Sequence, residues 1–307
     1  MTRGRIFYFA RDWEPPSGGI RMSWRSVELL REEGFDAYVL HRSRSFRPRW
    51  FRSDAAVQWI DADFRPKRDD ILVLPENHRF AYQVATEIKH RIIYCQGLYT
   101  VYRGFARMPD WRTWCNHILC SSLTIADFVR DVLRFERRTH IPCYVDRTLF
   151  HPEPKRLQIA YMPRKRRREA AFIRECFREL APDLRHISWV PIDGKSEEQA
   201  AAILRQSAAF VSLSKLEGFG LPALEAMACG CLVTGFPAGG GREYATPDNA
   251  DWVDEWDLVG CARKLATRLR DEASHAPRVR AALRTADAYP ITRTREALTR
   301  FWTTINS

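Results

Sequence analysis

Glu217 and Glu225 stand eight residues apart, on either side of Gly218-Phe-Gly-Leu-Pro222. Two glycines follow an apolar run, Pro222 suits the first helical position, where a missing N–H costs nothing, and Gly230 suits the far cap. The segment therefore predicts a helix N-terminus opening onto a cleft, with the amides of Phe219, Gly220 and Leu221 pointing outward and the helix dipole favouring electron-rich oxygens. Gly218 and Gly220 let a ligand approach the backbone closely. In an unbroken helix the two carboxylates would lie about 12 Å apart along the axis. That is too far for the pair of a retaining glycosidase, whose carboxyl groups sit about 5 Å apart, and it suits two separate contacts on one elongated ligand. An isolated glutamate at either position would read as a first-turn residue or a solvated loop charge. The glycines and proline between them favour the ligand reading.

The elements that position this segment follow from hydrophobic periodicity. Ile6 to Ala10, Ala37 to Leu40, Val57 to Ile60, Ile71 to Leu74, Arg91 to Tyr94 and Ile118 to Ser121 read as strands. Helical stretches fall between several of them, among them one from Trp24 to Leu30 that stops at Gly34 and another from Phe80 to Lys89. Ser122 or Thr124 would cap a helix running to Leu133. Such alternation implies a mostly parallel sheet. Three prolines between Pro142 and Pro154 break the rhythm and place a domain boundary near residue 150. The second half restarts it with strands at Leu157 to Met162, His186 to Val190, Ala209 to Leu213 and Cys231 to Thr234. Ser196-Glu-Glu-Gln199 is a capping-box sequence, and further helices are expected at Leu258 to Arg270 and Thr292 to Thr303.

Length and composition agree with two domains. The chain has 307 residues, 45% of them hydrophobic and 28% charged, so a disordered or collagen-like chain is excluded. No apolar run approaches the roughly 18 residues of a membrane span, and the chain reads as a cytoplasmic protein. A net charge of +11 favours anionic partners, although 42 Arg against 7 Lys points to coding bias as well as to binding. Eight cysteines without a C-x-x-C pair read as reduced thiols. Asp61-Ala-Asp63 matches the D-x-D that metal-dependent transferases of the GT-A type use, but Arg65, Lys67 and Arg68 crowd the same loop. The two acids are read as surface charges, and no metal is expected. Aromatics between Tyr99 and Trp114 read as core or interface.

Glu217-Gly-Phe-Gly-Leu-Pro-Ala-Leu-Glu225 resembles the E-x7-E signature of the family-4 (group 1) retaining glycosyltransferases of GT-B fold. Gly18-Gly19-Ile20 resembles their N-terminal glycine loop, Ile141-Pro-Cys-Tyr-Val-Asp146 their domain-linking segment, and Ala238-Gly-Gly-Gly-Arg-Glu243 their glycine turn. The resemblance implies an α/β chain of two doubly wound Rossmann-like domains facing across a cleft. Residues 1–150 would form the acceptor-side domain and 151–307 the nucleotide-sugar domain, with the last helix, about 290–307, packing back on the first. Glu225 would bind the ribose hydroxyls of a UDP- or GDP-linked donor, while Glu217 with Gly218 and the amides of Phe219, Gly220 and Leu221 would hold its sugar. Gly18 and Gly19 would lie at the diphosphate, and Gln96 beside the sugar.

In the same family an Arg and a Lys after the first strand of the second domain neutralise the diphosphate. This chain offers five consecutive cations, with Arg164 and Lys165 the preferred pair and Arg168 a further candidate. Glu169 stands in the family's usual register for the lysine, and a solvated helix face accounts for the remaining cations, since one turn cannot aim all five at one phosphate pair. The implied activity is transfer of a hexose to a glycan or lipid-linked acceptor in surface polysaccharide synthesis, with no cofactor required. The surplus of 25 Lys+Arg over 18 Asp+Glu in residues 1–150 suits peripheral contact with an anionic membrane on its inner face or a phosphorylated acceptor. Two readings compete. A nucleic-acid-binding protein with a degenerate transferase fold predicts steeply salt-dependent affinity for DNA or RNA, whereas a GT-B-like nucleotide-sugar epimerase needs a catalytic acid pair that the sequence does not display.

Overall fold

Strand β1 (Ile6–Phe9) is buried at all four positions, as expected of a strand covered on both faces of a parallel sheet. The computed structural model describes residues 4–77, 88–106 and 110–306. Around β1 the chain lays down β2 (Ala37–His41), β3 (Val57–Trp59), β4 (Ile71–Pro75), β5 (His90–Cys95), β6 (His117–Cys120) and β7 (Arg138–His140). All pair in parallel, in the order β3-β2-β1-β4-β5-β6-β7. The order reverses between β1 and β4, so the crevice of this sheet lies at the carboxyl ends of those two strands.

The second sheet is smaller. Its strands are β8 (Arg156–Tyr161), β9 (Ser188–Pro191), β10 (Ser207–Leu213), β11 (Leu232–Phe236) and β12 (Asp251–Trp252), parallel throughout in the order β12-β11-β10-β8-β9. Helices Arg167–Leu180 and Leu258–Arg270 cover it, with Ile173, Phe177, Cys261 and Leu265 packed against Ile159, Val211 and Phe236.

The chain divides into two compact units. Unit 1 comprises Met1–Cys143 and Thr292–Ser307, and unit 2 Tyr144–Ile291. The helix Ile291–Asn306 thus lies almost wholly in unit 1, where Trp302 is fully buried and its indole N–H donates to the Tyr8 hydroxyl at 3.3 Å.

Local signals in the sequence set many element ends. Gly34 closes helix Gly18–Glu32 with φ +81°, Ser122 Oγ accepts from the Ile125 amide, and Ser196 with Gln199 forms a full capping box. The structure adds strands β7 and β12 and the helix His275–Asp287, which the apolar pattern did not mark. The helix expected over Phe80 to Lys89 lies outside the described residues except for its last two positions. All eight cysteines are free thiols, seven of them buried. No helix among the described residues is long and apolar enough to cross a membrane.

Candidate functional site

In unit 2, β10 ends at Leu213 and the chain turns through Ser214 to Gly220 before helix Leu221–Ala228 begins. The helix starts one residue ahead of Pro222, with Gly220 as its N-cap at φ +92°, a left-handed conformation in which a larger residue would be strained. Among the described residues the amides of Phe219, Gly220 and Leu221 have no partner in the chain. Three donors at a helix N-terminus are thus left for a ligand. The Phe219 side chain turns inward, with its ring 5.6 Å from that of Tyr244 and 5.2 Å from that of Tyr289.

The glycine turn Ala238–Gly241 forms the floor beneath this loop. The Gly240 amide donates to the Glu217 carbonyl at 3.0 Å, and a Cβ on Gly240 would fall 1.9 Å from the Gly218 carbonyl oxygen. The Tyr244 hydroxyl donates to the Gly220 carbonyl at 2.6 Å. Burial first, then the carboxylates of Glu217 and Glu225 among its neighbours, hold that phenol well above its ordinary range, so it stays a donor. Glu225 lies on the helix and is buried, whereas Glu217 on the loop is partly exposed.

The basic run does not form one helical face. Pro163–Lys165 is a turn of 3-10 helix, and the α-helix starts only at Arg167. Lys165 Nζ donates to Glu217 Oε1 at 2.7 Å, which joins two of the expected site residues. Arg164 and Arg168 are exposed and make no ion pair among the described residues. Arg167 turns to Asp193 at 2.6 Å. Arg166 is buried: its guanidinium pairs with Glu255, donates to the Ser214 carbonyl at 3.3 Å and lies 4.6 Å from the centre of the Phe236 ring. Sequence reasoning passed over Arg166, Tyr244 and Tyr289. The five-cation run gave no hint of which member was buried, and the two tyrosines contact the loop from 24 or more positions away.

In unit 1 the structure joins Gly19 and Gln96 at the carboxyl edge of the sheet. Gln96 Nε2 donates to the Gly19 carbonyl at 2.9 Å, and a Cβ on Gly19 would meet Gln96 Oε1 at 2.6 Å. Gly18 begins the helix, and the amides of Gly18 and Gly19 have no partner among the described residues. Behind them lies a residue that sequence reasoning did not select. Glu76, just past β4, is 4% exposed, accepts from the Gln96 amide at 3.3 Å and from the Thr100 hydroxyl, and has its pKa raised to about 7 by burial. An acid directly after the apolar strand Ile71–Pro75 was the available signal. Gly18, Gly19 and Gln96 belong to unit 1, and Arg164, Lys165, Arg168, Gly218, Phe219, Gly220, Leu221 and Glu225 to unit 2.

Asp61 and Asp63 make no ion pair with Arg65, Lys67 or Arg68. The Asp61 carboxylate accepts the Asp63 amide at 3.0 Å, and Arg65 donates to the backbone carbonyls of Ala62 and Phe64 instead. Among the described residues no three His, Cys, Asp or Glu side chains group as metal ligands.

Comparison with known proteins gives this geometry a context. The sequence profile described as "Glycosyl transferases group 1" matches residues 189–283, which include the helix start and the glycine turn. An alpha-1,6-glucosyltransferase from Actinobacillus pleuropneumoniae serotype 7 is 30% identical over 284 residues, covering 86% of this chain and 83% of that protein. A sucrose-phosphate synthase from Thermosynechococcus elongatus superimposes with a TM-score of 0.76 at 14% identity, covering 99% of both chains. Anabaena HepE, whose structure holds UDP and glucose, gives a TM-score of 0.66 at 11% identity, over 98% of this chain and 100% of its own.

Proposed function

Because the chain belongs to the group 1 glycosyltransferases and has the GT-B fold, we propose that it is a retaining hexosyltransferase moving glucose or a related hexose from a UDP- or GDP-linked donor to an acceptor hydroxyl. The name of the Actinobacillus relative supports a glucosyl donor, and the UDP and glucose in HepE support a nucleotide-sugar. The single observation that carries the reading is the Lys165–Glu217 pair beside the three unpartnered amides of the helix start.

Breaking the bond between the anomeric carbon and the diphosphate leaves negative charge on the leaving group and positive character on the sugar. Catalysis then needs cations and amide donors fixed in advance where that charge develops. Arg164 and Lys165 supply the cations, with Arg168 in reserve. Lys165 is held by Glu217 before donor binds, so it does not have to be ordered during the reaction. Glu217 and the amides of Phe219, Gly220 and Leu221 take the donor hydroxyls, and Glu225 takes the ribose. On the family resemblance Gly18, Gly19 and Gln96 are unit 1's contribution to donor recognition. Retention follows from attack on the face from which the diphosphate departs, without a protein nucleophile. The process served is surface polysaccharide synthesis on the cytoplasmic side of the membrane.

Calorimetry with UDP, GDP and their glucose conjugates tests the site. Glu225→Ala and Arg164→Ala are each expected to weaken nucleotide-diphosphate binding about tenfold, the loss of one charged hydrogen bond. Glu217→Ala is expected to lower turnover more than affinity. Unchanged binding in all three variants removes the assignment.

A further inference from the structure

Between His41 and Ser53 the chain carries five arginines, at 42, 44, 47, 49 and 52, and no acid. This loop leaves the carboxyl end of β2, beside the loop that leaves the carboxyl end of its neighbour β1. In a parallel sheet ligands bind at that edge. Glu14 of the loop after β1 and Ser45, Phe46, Arg47, Pro48 and Arg49 of the loop after β2 border an open recess of about 520 Å³. Its size is that of a small-molecule site.

The acids near the recess are engaged with backbone and imidazole groups. Asp12 accepts the amides of Ser43 at 2.8 Å and Arg42 at 3.4 Å, and its carboxylate lies 2.9 Å from His41 Nδ1. Glu14 accepts the Arg49 amide at 3.3 Å. Arg47 reaches the Ala55 carbonyl at 3.5 Å, with its guanidinium 5.6 Å from the centre of the Trp24 ring. The loop is thereby pinned, with Ser45 in the left-handed region at φ 67°. The guanidinium groups of Arg47 and Arg49, both exposed and both lining the recess, have no acid partner among the described residues.

We propose that this recess binds a phosphate-bearing saccharide, and that the phosphorylated sugar is the acceptor. Guanidinium groups present paired N–H donors that match phosphate oxygens, and Arg47 with Arg49, both on the wall of the recess, supplies two positive charges for a dianion. Phe46 lends an apolar ring face to the C–H face of a sugar. The Glu14 carboxylate keeps acceptor capacity for a sugar hydroxyl. A small recess with a single aromatic ring selects a sugar phosphate over a nucleic acid, which needs a charged stripe with successive stacking platforms. The role as acceptor rests on the transferase reading above, whereas the binding itself does not.

The full-length chain is titrated by calorimetry with glucose 6-phosphate, glucose and inorganic phosphate, and by flotation with phosphatidylcholine vesicles carrying a polyprenyl diphosphate hexose. Binding of glucose 6-phosphate at least tenfold tighter than either glucose or inorganic phosphate is expected. The double variant Arg47→Gln with Arg49→Gln should lose that preference while keeping a native circular-dichroism spectrum and unchanged affinity for UDP. Vesicle capture lost in the same variant identifies a lipid-linked source, and capture of neither plain nor doped vesicles identifies a soluble one. Equal binding of glucose and glucose 6-phosphate, wild-type affinity in the double variant, or binding of RNA alone overturns the proposal. Failure of UDP binding in every form of the protein overturns the donor site and leaves this recess standing.

Discussion

Arg166 and Arg164 are two residues apart in the same basic run, yet they are held by different forces. Arg164 is solvated, so its removal should change stability by less than about 0.5 kcal/mol. Arg166 is 1% exposed, and its removal leaves Glu255 without its partner and a void against Phe236. Arg166→Ala is therefore expected to cost about 2 kcal/mol in urea unfolding, chiefly from the void, since Glu255 is solvated once its partner is gone, while Arg164→Ala leaves the urea midpoint in place and weakens nucleotide-diphosphate binding. A second residue-scale forecast concerns Glu76. Its folded-state pKa is raised to about 7 from 4.5, so below pH 4.5 the carboxyl is protonated whether the chain is folded or not and costs nothing. As pH rises from 4.5 to 7 the unfolded chain ionises there and the folded one does not, and stability falls by on the order of 3 kcal/mol before levelling off above pH 7. Glu76→Gln keeps an acceptor for the Gln96 amide and the Thr100 hydroxyl. It is expected to flatten the decline in melting temperature between pH 5 and 7, and a decline identical to wild type would show that another group causes it.

The loop from Glu217 to Gly220 depends on the glycine turn beneath it. Gly240→Ala would drive a Cβ into the Gly218 carbonyl and the Phe219 amide, both backbone, so the loop must move or the turn must open. We expect a lower melting temperature together with at least tenfold weaker UDP binding. Gly34→Ala, at φ +81° with nothing within 4 Å, should cost about 1 kcal/mol of backbone strain and leave UDP binding unchanged. A Gly240→Ala variant that binds UDP normally would sever the turn from the site. This contrast explains what the sequence made legible. The helix start was readable because Gly-Phe-Gly-Leu-Pro is a local signal whose physics is complete within a few residues. Its dependence on Gly240 and Tyr244 was not, because those contacts join positions more than 20 residues apart. Strands β7 and β12 escaped notice for a related reason: Arg138-Thr-His140 and Asp251-Trp252 are edge strands with little apolar pattern, defined by the neighbour they pair with. Which cation of the basic run is buried was not legible, because composition does not reveal that Pro163–Lys165 forms a separate turn ahead of the helix.

At the scale of the whole chain, periodicity announced two parallel α/β units, whereas burial of the last helix is a property of long-range packing. From Thr292 onward the chain serves the core of unit 1, although some 150 residues of unit 2 separate it from the rest of that unit. Thr294 Oγ1 donates to the Pro142 carbonyl at 2.7 Å, Arg295 pairs with Glu32 at 2.6 Å and Glu33 at 3.1 Å, and the ring of Trp302 stands 6.1 Å from that of Tyr8 on the central strand. Trp302→Ala would leave a cavity in the middle of unit 1, with an expected cost of about 3 to 5 kcal/mol. Because the lost contacts are all in unit 1, hydrogen exchange should quicken in β1, β4 and β5 while the amides of β8, β10 and β11 exchange as in wild type. UDP binding measured under conditions where both units remain folded should be largely retained, since Glu225, Arg164 and Lys165, the proposed ribose and diphosphate contacts of unit 2, are untouched by the cavity. Faster exchange of equal size in both sheets would mean that the two units unfold as one cooperative body and that the last helix stabilises them together.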